Sequence, residues 1–321
     1  MDKALYDASM IAVKDCLKVE AGEIFLVITD TELIEIGEGL AEAERSIGAV
    51  TILMEMTPLS RNGEEPPEIV SNAMMEADAV LIPASKSLTH TAARRNACST
   101  GTRVATMPGI TRDTMIRCLN ADYYAIAERT EKLTELLTKA ETARVTTKAG
   151  TDITLPLGGV DAIASTGLIH GPGSFGNLPS GEAYMRPVEG ESSGIFIVDG
   201  SMAGIGDLKG KKPISIRVEK GFATEITGGS EADELKTKLE AVGKLAFNVA
   251  ELGIGTNDAA RIIGNILEDE KVMGTIHIAL GNNMSMGGTI DVPIHLDGII
   301  KEPTVELDGK IIMEKGRLLI D

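Results

Sequence analysis

The chain has 321 residues, 43% of them apolar and 25% charged, enough to bury a core in each of two domains. Aromatic residues make up only 3% and tryptophan is absent, so the core has to be built from Ile, Leu, Val, Ala and Met. With 48 acidic against 31 basic residues the net charge is -17, which repels phosphate backbones and anionic lipid and argues against nucleic acid or a membrane as partner.

The acidity reads as solubility rather than as a binding surface. Cys16, Cys98 and Cys118 lie far apart without Cys-x-x-Cys spacing, so they read as small buried side chains of a reducing compartment. No run approaches the ~18 apolar residues of a membrane helix. The residues after Met1 lack the basic-then-apolar order of a secretory leader, and a cytoplasmic protein is expected.

In chain order, Ala4 to Leu17 has apolar residues at helical spacing, and Ile24 to Ile28 is a continuous β-branched run that suits a strand buried on both faces. Asp30 or Thr31 is expected to cap a helix to about Ser46. Ala49–Met54 and Ala79–Ile82 repeat the buried-strand pattern, with a helix near Glu68–Glu76 between them. Ser87-Leu88-Thr89-His90 is expected to open another helix, and Thr102–Thr106 to form a fourth strand. Strands alternating with helices imply a parallel, Rossmann-like sheet covered on both faces. A helix over Tyr124–Ala140 leads out of this N-terminal α/β domain, placed at 1–142.

From Ala143 the pattern changes to hairpins and short strands, at Arg144–Leu155, Gly194–Asp199, Ile214–Val218 and Ala223–Ile226. Helices are expected over Glu231–Phe247 and Asn257–Leu267, and Asp308-Gly309 turns a last hairpin. The second domain, 143–321, is therefore expected to be α+β and to carry a metal site.

Two of the four histidines, His277 and His295, fall in strand-like stretches of that second domain. In Val292-Pro293-Ile294-His295-Leu296-Asp297, period-two alternation puts His295 and Asp297 on one face. In Thr275-Ile276-His277-Ile278, His277 faces away from both isoleucines. Imidazole and carboxylate without thiolate suit zinc, cobalt, manganese or ferrous iron. An exposed ion pair is the plainer account of His-x-Asp alone. Glu182, at the end of the Gly/Pro-dense Gly176–Gly181, and Glu251, in a stretch that follows an apolar helix, add two acids and suggest a carboxylate-rich, dinuclear centre. Gly200–Gly206 is glycine-rich but lacks the P-loop lysine and Gly-x-Gly-x-x-Gly spacing, and no Gly-x-Ser-x-Gly elbow sits in a suitable place.

The block around Glu182 resembles the Gly-Glu-Val-Phe loop of the thermophilic metallo-aminopeptidases, the family of aminopeptidases T and S. Glu251 with Gly253 and Gly255, the stretch Thr275–Gly281, and His295-Leu296-Asp297 resemble the family's later ligand motifs in the same order. The resemblance implies a two-metal aminopeptidase, a homodimer taking peptides with a free N-terminus, with Glu182, Glu251, His277, His295 and Asp297 as ligands to zinc, cobalt or manganese. It matches Glu270 to a further ligand, and it makes Glu182 or Glu251 the group that takes a proton from the attacking water. Ser87–Arg94 is similar to a His-Thr-x-Ala-Arg segment of shorter relatives. His90 is expected to orient substrate or act as an acid, and Arg94, one helical turn on and on the same face, to pair a substrate carboxylate. His170 reads as structural.

Met284 stands where the aminopeptidases carry a tyrosine, seven residues after His277. The shorter relatives include ring-cleaving dihydroxypyridine dioxygenases, which hold one ferrous iron with two histidines and a carboxylate. His277, His295 and Asp297 would supply that triad for a small-molecule substrate. A non-catalytic relative is the third reading.

Overall fold

The computed structural model describes residues 2–320. The N-terminal elements are α1 (Lys3–Ile11), β1 (Ile24–Asp30), α2 (Ile34–Ile47), β2 (Val50–Met56), α3 (Glu68–Met75), β3 (Ala79–Ile82) and α4 (Ala92–Ser99). They are followed by β4 (Arg103–Thr106), α5 (Arg112–Leu119) and α6 (Tyr123–Lys139). Short strands come next: β5 (Thr142–Thr146), β6 (Asp152–Pro156), β7 (Ile163–Ser165), β8 (Phe175–Asn177), β9 (Glu182–Met185) and β10 (Ser193–Val198). After β11 (Ser201–Met202), β12 (Gly206–Asp207), β13 (Ile214–Glu219) and β14 (Phe222–Thr227) comes α7 (Ser230–Val242). The chain ends with β15 (Val249–Gly255), α8 (Ile266–Asp269), β16 (Thr275–Gly281), β17 (His295–Lys301), β18 (Thr304–Leu307), β19 (Lys310–Glu314) and β20 (Arg317–Leu318).

These elements form two compact units, and neither is a continuous segment. Unit 1 is Met1–Ala127 with Thr166–Ser180; unit 2 is Glu128–Ser165 with Gly181–Asp321. The division differs from a single cut at 142 because β8 pairs in parallel with β4 and so belongs to the first sheet. A three-residue strand, Phe175-Gly176-Asn177, carries too little apolar pattern to be read from sequence.

Unit 1 is built on a parallel five-stranded sheet in the order β2-β1-β3-β4-β8. Phe25, Leu26, Val27 and Ile28 of β1 are all buried, as a strand covered on both faces requires. α2 buries Ile36, Leu40 and Ala43 along one stripe and ends at Gly48 in the left-handed conformation, φ 87°. The helix expected to open at Ser87 begins only at Ala92. Thr91 caps it, its hydroxyl accepting from Arg94 N at 3.2 Å.

Unit 2 contains two antiparallel sheets. One has eight strands, β14-β13-β10-β6-β5-β18-β19-β20; the other has seven, β12-β11-β17-β16-β15-β9-β7. A single apolar cluster draws Val145, Ile153, Phe196, Ile216 and Val305 from the first sheet and Leu252, Ile254, Ile276, Ile278, Leu280 and Ile300 from the second. On β15, β16 and β17 the residues of opposite parity are left for the other face, and that face carries the polar cluster.

Three sequence expectations change here. The helix expected to run to Phe247 stops at Val242, where Gly243 has φ 111° and a short 3-10 turn over Lys244–Phe247 takes over. Val249–Gly255, read as following an apolar helix, is itself a fully buried strand. Asn257–Leu267 is mostly a loop rather than a helix. Buried Glu268 accepts from Arg261 N at 2.8 Å, and buried Asp269 accepts from Ile263 N and Gly264 N at 2.8 and 2.9 Å. These carboxylates satisfy backbone donors that a helix would otherwise have paired.

Candidate metal centre

The sheet register assembles the site. Across one row, Glu251 of β15 pairs with Ala279 of β16, and Ala279 pairs with Asp297 of β17. In the next row, Tyr184 of β9 pairs with Gly253, which pairs with His277, which pairs with Ile299. Glu182 faces Gly255, and His295 faces Gly281. Small residues therefore alternate with functional ones across the sheet. A methyl group has room beneath Glu251 and Asp297, and a glycine lies opposite each imidazole. A Cβ on Gly253 would sit 2.0 Å from His277 Nε2, so only glycine lets that ring lie flat over β15.

Side-chain distances divide the six expected ligands. Glu251, His295 and Asp297 each offer a ligand atom within 4.8 Å of the others. His295 Nε2 is 3.3 Å from Glu251 Oε2 and 3.3 Å from Asp297 Oδ1. His295 Nδ1 donates to the Asn282 carbonyl at 2.7 Å, which leaves Nε2 as the atom that presents a lone pair to a metal. His277, fully buried, approaches the cluster through its carboxylates: Nε2 is 3.0 Å from Glu251 Oε1 and 3.6 Å from Glu182 Oε2. The three residues grouped by distance are thus Glu251, His295 and Asp297. His277 sits one row further along β16, and it reaches the group by holding Glu251.

Glu270, matched above to a ligand, instead meets Lys271. The lysine Nζ contacts Glu270 Oε1 and lies 2.6 Å from Glu182 Oε1, with its side chain 1% exposed. Burial would lower this ammonium, but Glu182 and Glu270 overcome it and raise it above its ordinary value. Burial pushes Glu270 up to about 8, with Lys271 opposing and Glu182 and Asp297 reinforcing the rise. Burial would likewise raise Glu251, yet hydrogen bonds from His277 and His295 take it down to about 2. The same bond, with Glu182's charge, overrides burial and raises His277 to about 9. Burial lowers His295 less than Asp297 and Glu251 raise it. Tyr184 is raised by its burial and by the Glu182 and Glu251 charges.

The residues fit a divalent cation. The donor set is carboxylate and imidazole, the second nitrogen of His295 is fixed by a carbonyl, and Glu182 Oε2 is buried with no hydrogen-bond partner. Lys271, Tyr184 and Asn282 were missed in the sequence. A lysine beside a glutamate is ordinary on a surface, and only burial gives it meaning. Period-two alternation with Glu182 is the one signal that pointed to Tyr184.

The other expected residues belong to different elements. His90, in the turn before α4, is exposed, and its carbonyl accepts from Arg95 Nη1 at 2.8 Å. Arg94 Nε donates to the Thr89 carbonyl at 2.9 Å, and its guanidinium stacks 4.2 Å over the Phe175 ring, so it braces unit 1. His170 Nε2 lies 2.7 Å from the Asp15 carbonyl, a structural bond. Met284 is half-exposed in a 3-10 turn that follows the Asn282 carbonyl. Among the described residues no helix is long and apolar enough to cross a membrane.

Residues 12–320 match the family described as NicX, 2,5-dihydroxypyridine 5,6-dioxygenase. A 2,5-dihydroxypyridine 5,6-dioxygenase of Pseudomonas putida is 27% identical over 197 residues, 56% of this chain and 55% of that protein, so the alignment spans about half of the relative. The solved structure of the Pseudomonas putida dihydroxypyridine dioxygenase superposes with a TM-score of 0.85 at 20% identity, over 100% of this chain and 99% of the other. AmpT from Thermus thermophilus superposes with a TM-score of 0.71 at 18% identity, over 99% of each chain. At these identities both structures establish a shared fold, and the likeness to AmpT carries no peptidase activity with it.

Proposed function

The chain belongs to the 2,5-dihydroxypyridine 5,6-dioxygenase family, and from that premise we propose that it is a ring-cleaving dioxygenase using one ferrous ion on a hydroxylated nitrogen heterocycle. The sequence put the aminopeptidase first and the dioxygenase as its alternative; the family match favours the alternative. The observation that carries the reading at the site is the grouping of Glu251, His295 and Asp297 around a common point. These three would hold the ion, as one imidazole and two carboxylates in place of the two-histidine set expected from sequence. When bound, ferrous iron supplies the redox chemistry that lets dioxygen react with an electron-rich ring.

The protein's own groups do the rest. Asn282 fixes the His295 ring, and His277 fixes Glu251 from the opposite side. Lys271 offsets the charge of Glu182 and Glu270. The substrate is a small molecule rather than a peptide. The test is direct. Protein purified without metal and loaded with ferrous iron should consume oxygen and bleach the ultraviolet absorption of 2,5-dihydroxypyridine. The proposal fails if iron-loaded protein leaves hydroxypyridines intact while zinc- or manganese-loaded protein cleaves aminoacyl amides.

A further inference from the structure

Glu251 faces two imidazoles at once, His277 through Oε1 at 3.0 Å and His295 through Oε2 at 3.3 Å. On the His295 side, Asp297 completes a set of three donors. On the His277 side, Glu182 Oε2 comes within 3.6 Å of the same Nε2. A carboxylate shared between two such sets is the skeleton of a centre for two ions. The two halves differ in one respect. Beside the second lies Lys271, its Nζ 2.6 Å from Glu182 Oε1, in contact with Glu270 Oε1 and shut off from water.

We propose that the Lys271 ammonium stands in for a second metal ion: it neutralises Glu182 and Glu270 from inside the protein and holds the centre to a single ion. The inference rests on the metal-centre reading above and goes beyond it. Three points of geometry support it. First, a buried ammonium needs carboxylate partners, and it takes the oxygens that a divalent ion on this side would need. Second, a divalent ion bound to Glu182 would lie within a few ångströms of a fixed positive charge, where repulsion in a buried site is strong. Third, Glu182 Oε2 is buried without a hydrogen-bond partner, so the half-site keeps one uncommitted oxygen next to His277. Without the ammonium, Glu182, Glu251, Glu270 and His277 would remain as four donors.

Metal-free protein is titrated with manganese(II), following free ion by electron paramagnetic resonance and bound ion by elemental analysis after gel filtration. The wild type should saturate at one ion per chain. Lys271→Met, which keeps the apolar stem and removes the charge, should take two. Lys271→Arg should stay at one, and adding Glu182→Gln to Lys271→Met should return it to one. If the methionine variant does not fold, Lys271→Gln, which still donates to Glu182, carries the same expectation of a second ion, bound more weakly. Two ions on the wild type, or one on a folded methionine or glutamine variant, overturns the inference while leaving the metal centre standing. No ion on the wild type refutes the centre, and this inference with it.

Discussion

Glu44 in unit 1 and Glu251 in unit 2 are both withdrawn from water, at 0% and 7% exposure, yet their surroundings drive them in opposite directions. Glu44 lies on the inner face of α2, and neither of its carboxylate oxygens has a hydrogen-bond partner. Burial, reinforced by the charge of Glu23 and opposed by Arg103, raises it to about 8. Arg103 is already committed to a two-pronged bond with Glu23, at 3.1 and 2.7 Å. Glu251 has His277 and His295 within 3.3 Å and is held at about 2. Burial alone therefore yields a neutral acid. A ligand-grade carboxylate needs cationic or hydrogen-bonding neighbours on adjacent strands, which the sheet register supplies to one of these acids and not to the other.

The comparison can be broken most decisively at the triad. Asp297→Ala and His295→Ala should each weaken metal binding by on the order of 100-fold or more, while His277→Ala, which acts through Glu251, should cost about 10–100-fold. Iron affinity measured on the purified variants checks the order, and a larger loss at His277 than at Asp297 would restore the original triad.

Gly253→Ala tests whether the small residues are there to admit the imidazole. Its Cβ would collide with His277 Nε2, and such overpacking should cost about 1–3 kcal/mol. Urea unfolding of this variant reads that loss, and an unchanged midpoint would mean that the ring has room to move.

Glu44→Gln sharpens the other side. The wild-type carboxyl favours the folded state fully below its ordinary 4.5; as pH rises from there to about 8 the unfolded chain ionises first, and stability is lost through that window. The glutamine variant should therefore match the wild type near pH 4. At pH 8 it should melt higher by at least ~2–4 °C, the shift that 1 kcal/mol makes in a domain of this size. Equal melting temperatures at pH 8 would show that Glu44 is not held neutral.

The smallest effect is expected at Arg144, paired with Asp152 at 3.0 Å on an exposed hairpin. Arg144→Ala should leave the thermal melting curve nearly unchanged, because water screens such pairs.

Much of this was legible in the chain itself. The β-branched run at Ile24–Ile28 and its repeats announce a buried parallel sheet, and the alternation in Ile294-His295-Leu296-Asp297 puts an imidazole and a carboxylate on one face. The region around Glu251 was harder. Val249–Gly255 carries two glycines and follows an apolar helix, so local pattern does not separate strand from helix end. Glu268 and Asp269 were given no role, because their job, accepting from the backbone of the preceding loop, depends on where that loop lies in space.

The sequence by itself determined the kinds of element, the faces they would bury and the residue types available for chemistry, because these follow from periodicity and from the properties of single side chains. Only the tertiary structure decided which of six candidate ligands meet, that Lys271 is buried among the acids, and that Glu44 is left without a partner. Those outcomes depend on cross-strand register and on burial, which are set by contacts between residues far apart in the chain, 89 positions in the case of Glu182 and Lys271.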